Sequence, residues 1–356
     1  GQYASSATPN VTLASGSSIE VGNNQSVGVF VTGQNQNISS QADMRIGDNS
    51  FGYVVKGTGT KLTTNATNPV TVGNDTTFIY STDTTGNIEN RTKLTSTGSK
   101  NYGIYAAGNV TNLADMDFSS GIGNVGMYSI AGGTIVNGSP TVNSIIKVGS
   151  SDKPNKLYGI GMVAGYTDDN GNVIQTGTVE NYGTIKVEKD NGIGMYATGS
   201  GSKAINHGTI ELSGKSTTGM YLDNYAVGEN YGTIKTVPNP TNDGIVGVYV
   251  QNHAVIKNYG NIIIDGNNNT GIYISKDGQV EGRTIPASSP IPPINMPIAT
   301  NGAVDIKTRS EAQSDPTKQV AGIEIKAKPG KPVEVTRQGN PVTPTFVNTA
   351  VAVPTA

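Results

Sequence analysis

Four stretches, Gly194-Met195-Tyr196-Ala197, Gly219-Met220-Tyr221-Leu222, Gly247-Val248-Tyr249-Val250 and Gly271-Ile272-Tyr273-Ile274, repeat one pattern at near-constant spacing. Working outward, the aromatic place recurs at Phe30, Tyr53, Tyr80, Tyr105 and Tyr128, with Val163 standing in once before Tyr196. Self-similarity at this period means stacked coils rather than one globular core. Within a copy, period-two alternation puts Met220 and Leu222 on one face and Tyr221 on the other. The aliphatic pair is assigned to the interior, and the tyrosines to an outward, stacked ladder.

A second element follows most of these tyrosines: Asn206-His207-Gly208-Thr209-Ile210, Asn230-Tyr231-Gly232-Thr233-Ile234 and Asn258-Tyr259-Gly260-Asn261-Ile262. Asn181-Tyr182-Gly183-Thr184-Ile185 belongs to the same set after an insertion. Asn and Gly are corner residues because both tolerate left-handed or sharply bent backbone. The strand after each corner alternates again, with Ile185 and Val187 in and Lys186 out, then Ile210 and Leu212 in and Glu211 out. Gly, Thr, Asn and β-branched residues dominate, which disfavours helix. Short strands of this kind bury their apolar faces only by stacking coil on coil. The expected fold is therefore all-β, a right-handed parallel β-helix of about ten coils, about 50 Å long at the inter-strand spacing.

Composition bounds the chemistry. The 356 residues contain no Cys, no Trp and two His, with a formal net charge of −2. Disulfides, thiolate metal sites and Cys nucleophiles are excluded. The charge balance gives no reason to expect nucleic acid or an anionic membrane as partner. No apolar run is long enough for a spanning helix. With Gly1 first and no signal peptide, the chain reads as a mature product or a cut-out fragment.

Three regions are expected: an N-terminal cap or lead-in coil over residues 1–25, the β-helix over 26–282, and a Pro-rich excursion over 283–356 with a degenerate last coil at Gly322-Ile323-Glu324-Ile325. Eleven of the seventeen prolines fall between Pro286 and Pro354, where a regular ladder cannot continue because Pro removes a donor. The tail beyond Thr343 reads as a chain cut off before its next coil. Two coils carry insertions, one around Ser139 to Asn155 and one from Tyr166 to Gly177; the second contains Asn170-Gly171, a hairpin signal.

The Gly-[Met/Ile/Val]-Tyr and Asn-Tyr-Gly-Thr-Ile pattern resembles the passenger repeats of large type V autotransporter adhesins. It is most similar to the very long outer-membrane adhesins of fusobacteria, the arginine-inhibitable co-aggregation type among them. The stretch from Asn101-Tyr102-Gly103-Ile104-Tyr105 through Gly126-Met127-Tyr128-Ser129-Ile130 adds to that likeness, which covers about residues 26 to 280. It implies a surface-displayed passenger that binds a glycan or protein receptor on host cells or partner bacteria. A family member would carry a C-terminal barrel translocator, so the membrane anchor is expected outside this chain.

Candidate sites are weighed against plainer readings. The tyrosine ladder is either a sugar-stacking platform or a stabiliser of neighbouring coils, and regularity favours the second. Lys186, Glu211 and Lys235 share one place in three successive coils, which suggests pairing up a ladder. Asn181, Asn206, Asn230 and Asn258 are expected to form an amide ladder, extended by Asn90 and Asn137. Asp168-Asp169-Asn170-Gly171-Asn172 faintly resembles half of a calcium loop but lacks its distal Glu. His207 replaces a corner tyrosine, and His253 has no evident partner. A triad or zinc site is not expected, nor any cofactor, and the chain is expected to be a non-catalytic monomer. Loops leaving a rigid coil carry recognition most readily. The receptor-binding candidates are therefore Ser151, Asp152, Lys153, Tyr166, Asp168 and Asp169. A stalk segment and a polysaccharide lyase or hydrolase are the rival readings.

Overall fold

In the computed structural model, the residues described are 2–4, 10–266, 268–275, 277–282 and 298–299. The degenerate coil proposed around Gly322 and the tail beyond Thr343 lie outside them. The described chain contains strands and no helix. Strands stack in parallel into a twelve-stranded sheet, an eleven-stranded sheet and an eight-stranded sheet, giving about eleven turns of a β-solenoid. Each regular turn visits the three sheets in order, as in Ile193–Thr198, Lys203–Asn206 and Thr209–Leu212. We call the first the tyrosine sheet and the second the asparagine sheet, after their repeated side chains. The twelfth strand of the tyrosine sheet, Ile298–Ala299, pairs in parallel with Thr270–Ile274.

The lumen is one continuous apolar column running from Val21 to Ile274. Met195, Ala197, Ile210 and Leu212 fill it in one turn, and Met220, Leu222 and Ile234 in the next, all fully buried. Strands of four to six residues are too short to hold a sheet alone; each gains backbone partners above and below and one apolar face in the lumen.

A buried amide ladder pins the bend between the asparagine sheet and the third sheet. Side-chain Nδ2 groups donate to the next Oδ1 from Asn90 to Asn112, Asn137, Asn181, Asn206, Asn230 and Asn258, at 2.8–3.0 Å throughout. Thr64 donates to Asn90 at the lower end. The second Nδ2 proton goes to the residue's own corner carbonyl, as from Asn181 to Gly183 O at 3.1 Å. Asn112, not foreseen as a rung, completes the run from Asn90 to Asn258.

Several sequence expectations need correction here. The Asn-Tyr-Gly corner does not use glycine for a left-handed backbone. An added Cβ at Gly208 would collide with the Gly183 carbonyl oxygen, so the requirement is close approach of adjacent coils. Left-handed pairs occur instead at the bend from tyrosine sheet to asparagine sheet, at Asn224–Tyr225 and Asn252–His253. Tyr53 is not a rung of the tyrosine row. It registers with Val29 and Ile79, points into the lumen and donates to Ser40 Oγ at 2.7 Å; Val54 takes the row position beside Phe30 and Tyr80. Finally, Lys186, Glu211 and Lys235 do sit side by side in register, yet they make none of the ion pairs found among the described residues. Long exposed side chains gain little from such pairing, and Lys147 stands next to Lys186 in the same row.

Candidate functional site

The tyrosine row faces away from the lumen, as alternation requires, and stacks. Successive ring centroids lie 5.5 Å apart for Tyr80–Tyr105, 4.6 Å for Tyr221–Tyr249 and 5.0 Å for Tyr249–Tyr273. Val163 fills the place between Tyr128 and Tyr196. From Tyr128 onward the row is nevertheless no exterior platform, while Phe30, Tyr80 and Tyr105 are half-buried. Tyr128, Tyr196, Tyr221, Tyr249 and Tyr273 are at most 2% exposed and form a second apolar cluster separate from the lumen. Burial pushes the Tyr196 and Tyr221 phenols well above their ordinary range. Gln251 bridges two rungs, its Nε2 donating to Tyr221 Oη at 3.0 Å while its Oε1 accepts from Tyr249 Oη at 3.1 Å.

Both insertions contribute to that burial. Tyr158, directly after the first insertion, and Tyr166 from the second pack into the tyrosine cluster. Tyr128 donates to the Gly165 carbonyl at the base of the second insertion, at 2.8 Å. The first insertion is in fact two loops, because Ile145–Val148 runs as a regular strand of the third sheet between them. One loop is closed by a Ser139–Val142 bridge and the other by an Asp152–Leu157 bridge. The second insertion is the antiparallel hairpin that Asn170-Gly171 predicts, with Tyr166–Thr167 paired to Val173–Gln175. The two meet at their tips, where Lys156 Nζ stands 3.8 Å from Asp169 Oδ1.

The six candidate residues divide by what they do locally. Ser151 is a strut: its Oγ donates to Asn191 O at 2.8 Å and accepts from Gly159 N at 2.9 Å. Asp152 closes its loop through backbone bonds to Leu157 and accepts from Asn155 Nδ2 at 2.6 Å. Lys153 is half-buried, and burial lowers its ammonium pKa. Tyr166 packs on the tyrosine cluster. Asp168 closes the hairpin tip, accepting from Asn172 N at 2.8 Å, Asn170 N at 3.0 Å and Asn172 Nδ2 at 3.2 Å. Those bonds, led by the Asn172 backbone, lower its pKa and hold it ionised. They are the bonds of a turn, and no group of three or more metal-ligating side chains occurs among the described residues. Asp169 is exposed and faces Lys156.

A second aromatic ladder stands at the Asn-Tyr-Gly corner, half-buried except at Tyr231, which is exposed. Tyr182, His207, Tyr231 and Tyr259 stack at 4.4, 5.2 and 5.3 Å. Carboxylates of the asparagine sheet hold its rim: Glu180 Oε1 lies 2.5 Å from His207 Nε2 and accepts from Tyr182 Oη at 3.2 Å, while Glu229 accepts from Tyr231 Oη at 3.0 Å. His253, without an evident partner in the sequence, stacks on Tyr225 at 4.7 Å and faces Asp277 at 3.7 Å. Sequence reading missed these rings as surface features. The signal was present: each corner tyrosine lies two residues beyond the outward Glu or Lys of its strand, so alternation carries it outward too.

Residues 2–232, well over half of the chain, match the family model of the BigA third pectate lyase-like domain. That span includes both insertions, while residues 233–282 continue the same coils. No curated protein and no solved structure matches the chain.

Proposed function

The chain belongs to the BigA third pectate lyase-like domain family, a domain of bacterial surface proteins, and from that premise we propose that this surface β-helix is an adhesin passenger. It recognises a glycan or protein receptor on host cells or partner bacteria, without catalysis. The autotransporter route and the fusobacterial likeness belong to this proposal, as do display at the outer membrane and a monomeric state. The observation that carries it is the convergence of the two insertions, joined by Lys156 and Asp169 over an otherwise regular stack. Irregular loops on a rigid scaffold are where recognition is placed most cheaply, since they vary without disturbing the ladder. Support for a non-catalytic role comes from the carboxylates nearby: Asp152 and Asp168 close turns, Glu180 and Glu229 hold corner rings, and Asp169 pairs with Lys156.

The test is saturable binding of the labelled, folded chain to host cells and partner bacteria, with free sugars, free arginine and proteolysed target cells as comparisons. Saturable binding supports an adhesin, and the effective competitor separates glycan from protein. Absence of binding reduces the chain to a stalk. Release of new reducing or unsaturated ends from polysaccharides would overturn the non-catalytic reading.

A further inference from the structure

Five large apolar side chains stand exposed among the described residues: Ile122, Val173, Ile174, Tyr225 and Tyr231. Three of them, Val173, Ile174 and Tyr225, belong to one corner, the bend from the tyrosine sheet into the asparagine sheet. The hairpin is fastened there at several points. Val173 lies over Gly199, where an added Cβ would come within 2.9 Å of the Val173 Cγ1. Asn224 Nδ2 donates to Thr167 Oγ1 at 3.2 Å and to Gly171 O at 3.1 Å, and the Thr167 and Thr198 hydroxyls are 2.6 Å apart.

The backbone beside the hairpin is left-handed over two successive residues, as it also is at Asn24–Gln25. Asn224 and Tyr225 have φ of 48° and 67°, and Asn252 and His253 repeat the arrangement one coil later at 50° and 62°. Asparagine accepts this region readily; a tyrosine or histidine adopts it at a cost of about 1 kcal/mol or more. What the conformation achieves is to hold the Tyr225–His253 stack outward, with Tyr225 54% exposed.

Charge around the corner is one-sided. Among the described residues, the carboxylates there are Asp168, Asp169, Asp277 and Asp223, the last accepting from Asn252 Nδ2 at 2.7 Å; Lys156 faces Asp169 alone, and Lys203 pairs with Glu229. We propose that Val173, Ile174, Tyr225 and His253 form a docking patch for a protein segment that carries an apolar anchor flanked by lysine or arginine. The aliphatic pair offers no hydrogen-bond partner to sugar hydroxyls but suits a Leu, Met or Phe side chain. Tyrosine is among the residue types enriched at the anchoring centres of such contacts. The inference rests on the receptor-binding reading and narrows it to a basic protein partner at one corner.

The test uses the full chain and its Ile174→Ser/Tyr225→Ser variant. Both positions are exposed, so circular dichroism should be unchanged and thermal melting shifted by no more than the loss of one exposed ring stack. The probes are a synthetic Leu/Lys peptide, its Leu/Glu counterpart and a panel of neutral oligosaccharides. The expected result is saturable, salt-sensitive binding of the Leu/Lys peptide, about tenfold weaker in the variant, with the Leu/Glu peptide about tenfold weaker on the native chain. Equal binding by the two chains, equal binding of the two peptides, or no peptide binding overturns it. So does an oligosaccharide whose binding the variant abolishes, which would make the corner a glycan site. Cell binding run in parallel separates the two readings. Native and variant chains adhering equally removes the patch and leaves the adhesin; no adhesion by the native chain removes the adhesin, while the peptide result still decides the patch.

Discussion

The molecule holds two aromatic ladders built by the same coil-to-coil stacking, one of buried tyrosines and one, with His207 among its tyrosines, partly to fully open to water. Tyr196, Tyr221, Tyr249 and Tyr273 climb the outer face of the tyrosine sheet and are buried. Tyr182, His207, Tyr231 and Tyr259 climb a corner, with Tyr231 48% exposed. Ring stacking explains both columns and distinguishes neither. The difference lies in what lies across them. Tyr158, just after the first insertion, and Tyr166 of the second add to the first cluster, whereas the second is rimmed by Glu180 and Glu229, which accept from its hydroxyls. A periodic side chain therefore reports the period of the fold and leaves its own accessibility undecided.

The comparison breaks most sharply at its buried ladder. Tyr221→Ala should destabilise by about 3–5 kcal/mol, through a cavity and the loss of the hydroxyl that accepts from Gln251. Chemical denaturation would show it; a loss under 1 kcal/mol would mean the row is not a core. Asn206→Ala strands Asn181 Nδ2 below and Asn230 Oδ1 above. Its expected cost is about 2–4 kcal/mol, as buried amide groups lose their partners, read as faster hydrogen exchange in the coils on either side.

Alkaline titration sharpens the contrast without mutation. Burial raises the Tyr196, Tyr221 and Tyr249 phenols, and takes Tyr53 up to about 12. A phenol with a raised folded pKa binds its proton more tightly folded than unfolded. Its contribution is thus complete below pH 10 and is lost as pH climbs from there through the folded value. Ultraviolet phenolate absorbance should rise in an early phase from exposed rings and a late phase that coincides with unfolding. One smooth transition near pH 10 in the folded protein would refute the burial of the row.

Smaller effects belong to the open ladder and the surface. Tyr231→Ala should cost about 1 kcal/mol or less, since its ring stacks at an exposed corner. Nitration should modify Tyr225 and Tyr231 ahead of Tyr196 and Tyr221, checked by peptide mass spectrometry. Smallest is Lys156→Ala, a few tenths of a kcal/mol at most, because both partners of its pair are largely exposed. A larger change in melting temperature would show that the tie between the insertions supports the stack.

The β-helix, its coil spacing, the inward aliphatic pairs and most rungs of the amide ladder follow from sequence alone. Alternation has a period of two, and a coil must superpose on its neighbours, so one-dimensional spacing fixes which residues share a column. Even the misplaced rung was legible: in Gly52-Tyr53-Val54 the tyrosine directly follows the glycine, whereas Gly194-Met195-Tyr196 has one residue between. The hairpin at Asn170-Gly171 was written in its turn chemistry. Only tertiary structure decided that Lys156 meets Asp169, that Tyr158 and Tyr166 join the tyrosine cluster, and that Tyr225 stands outward beside the hairpin. Those contacts join loops to coils that sequence periodicity does not relate, because an insertion has no register of its own and its direction is set by the surface it lands on.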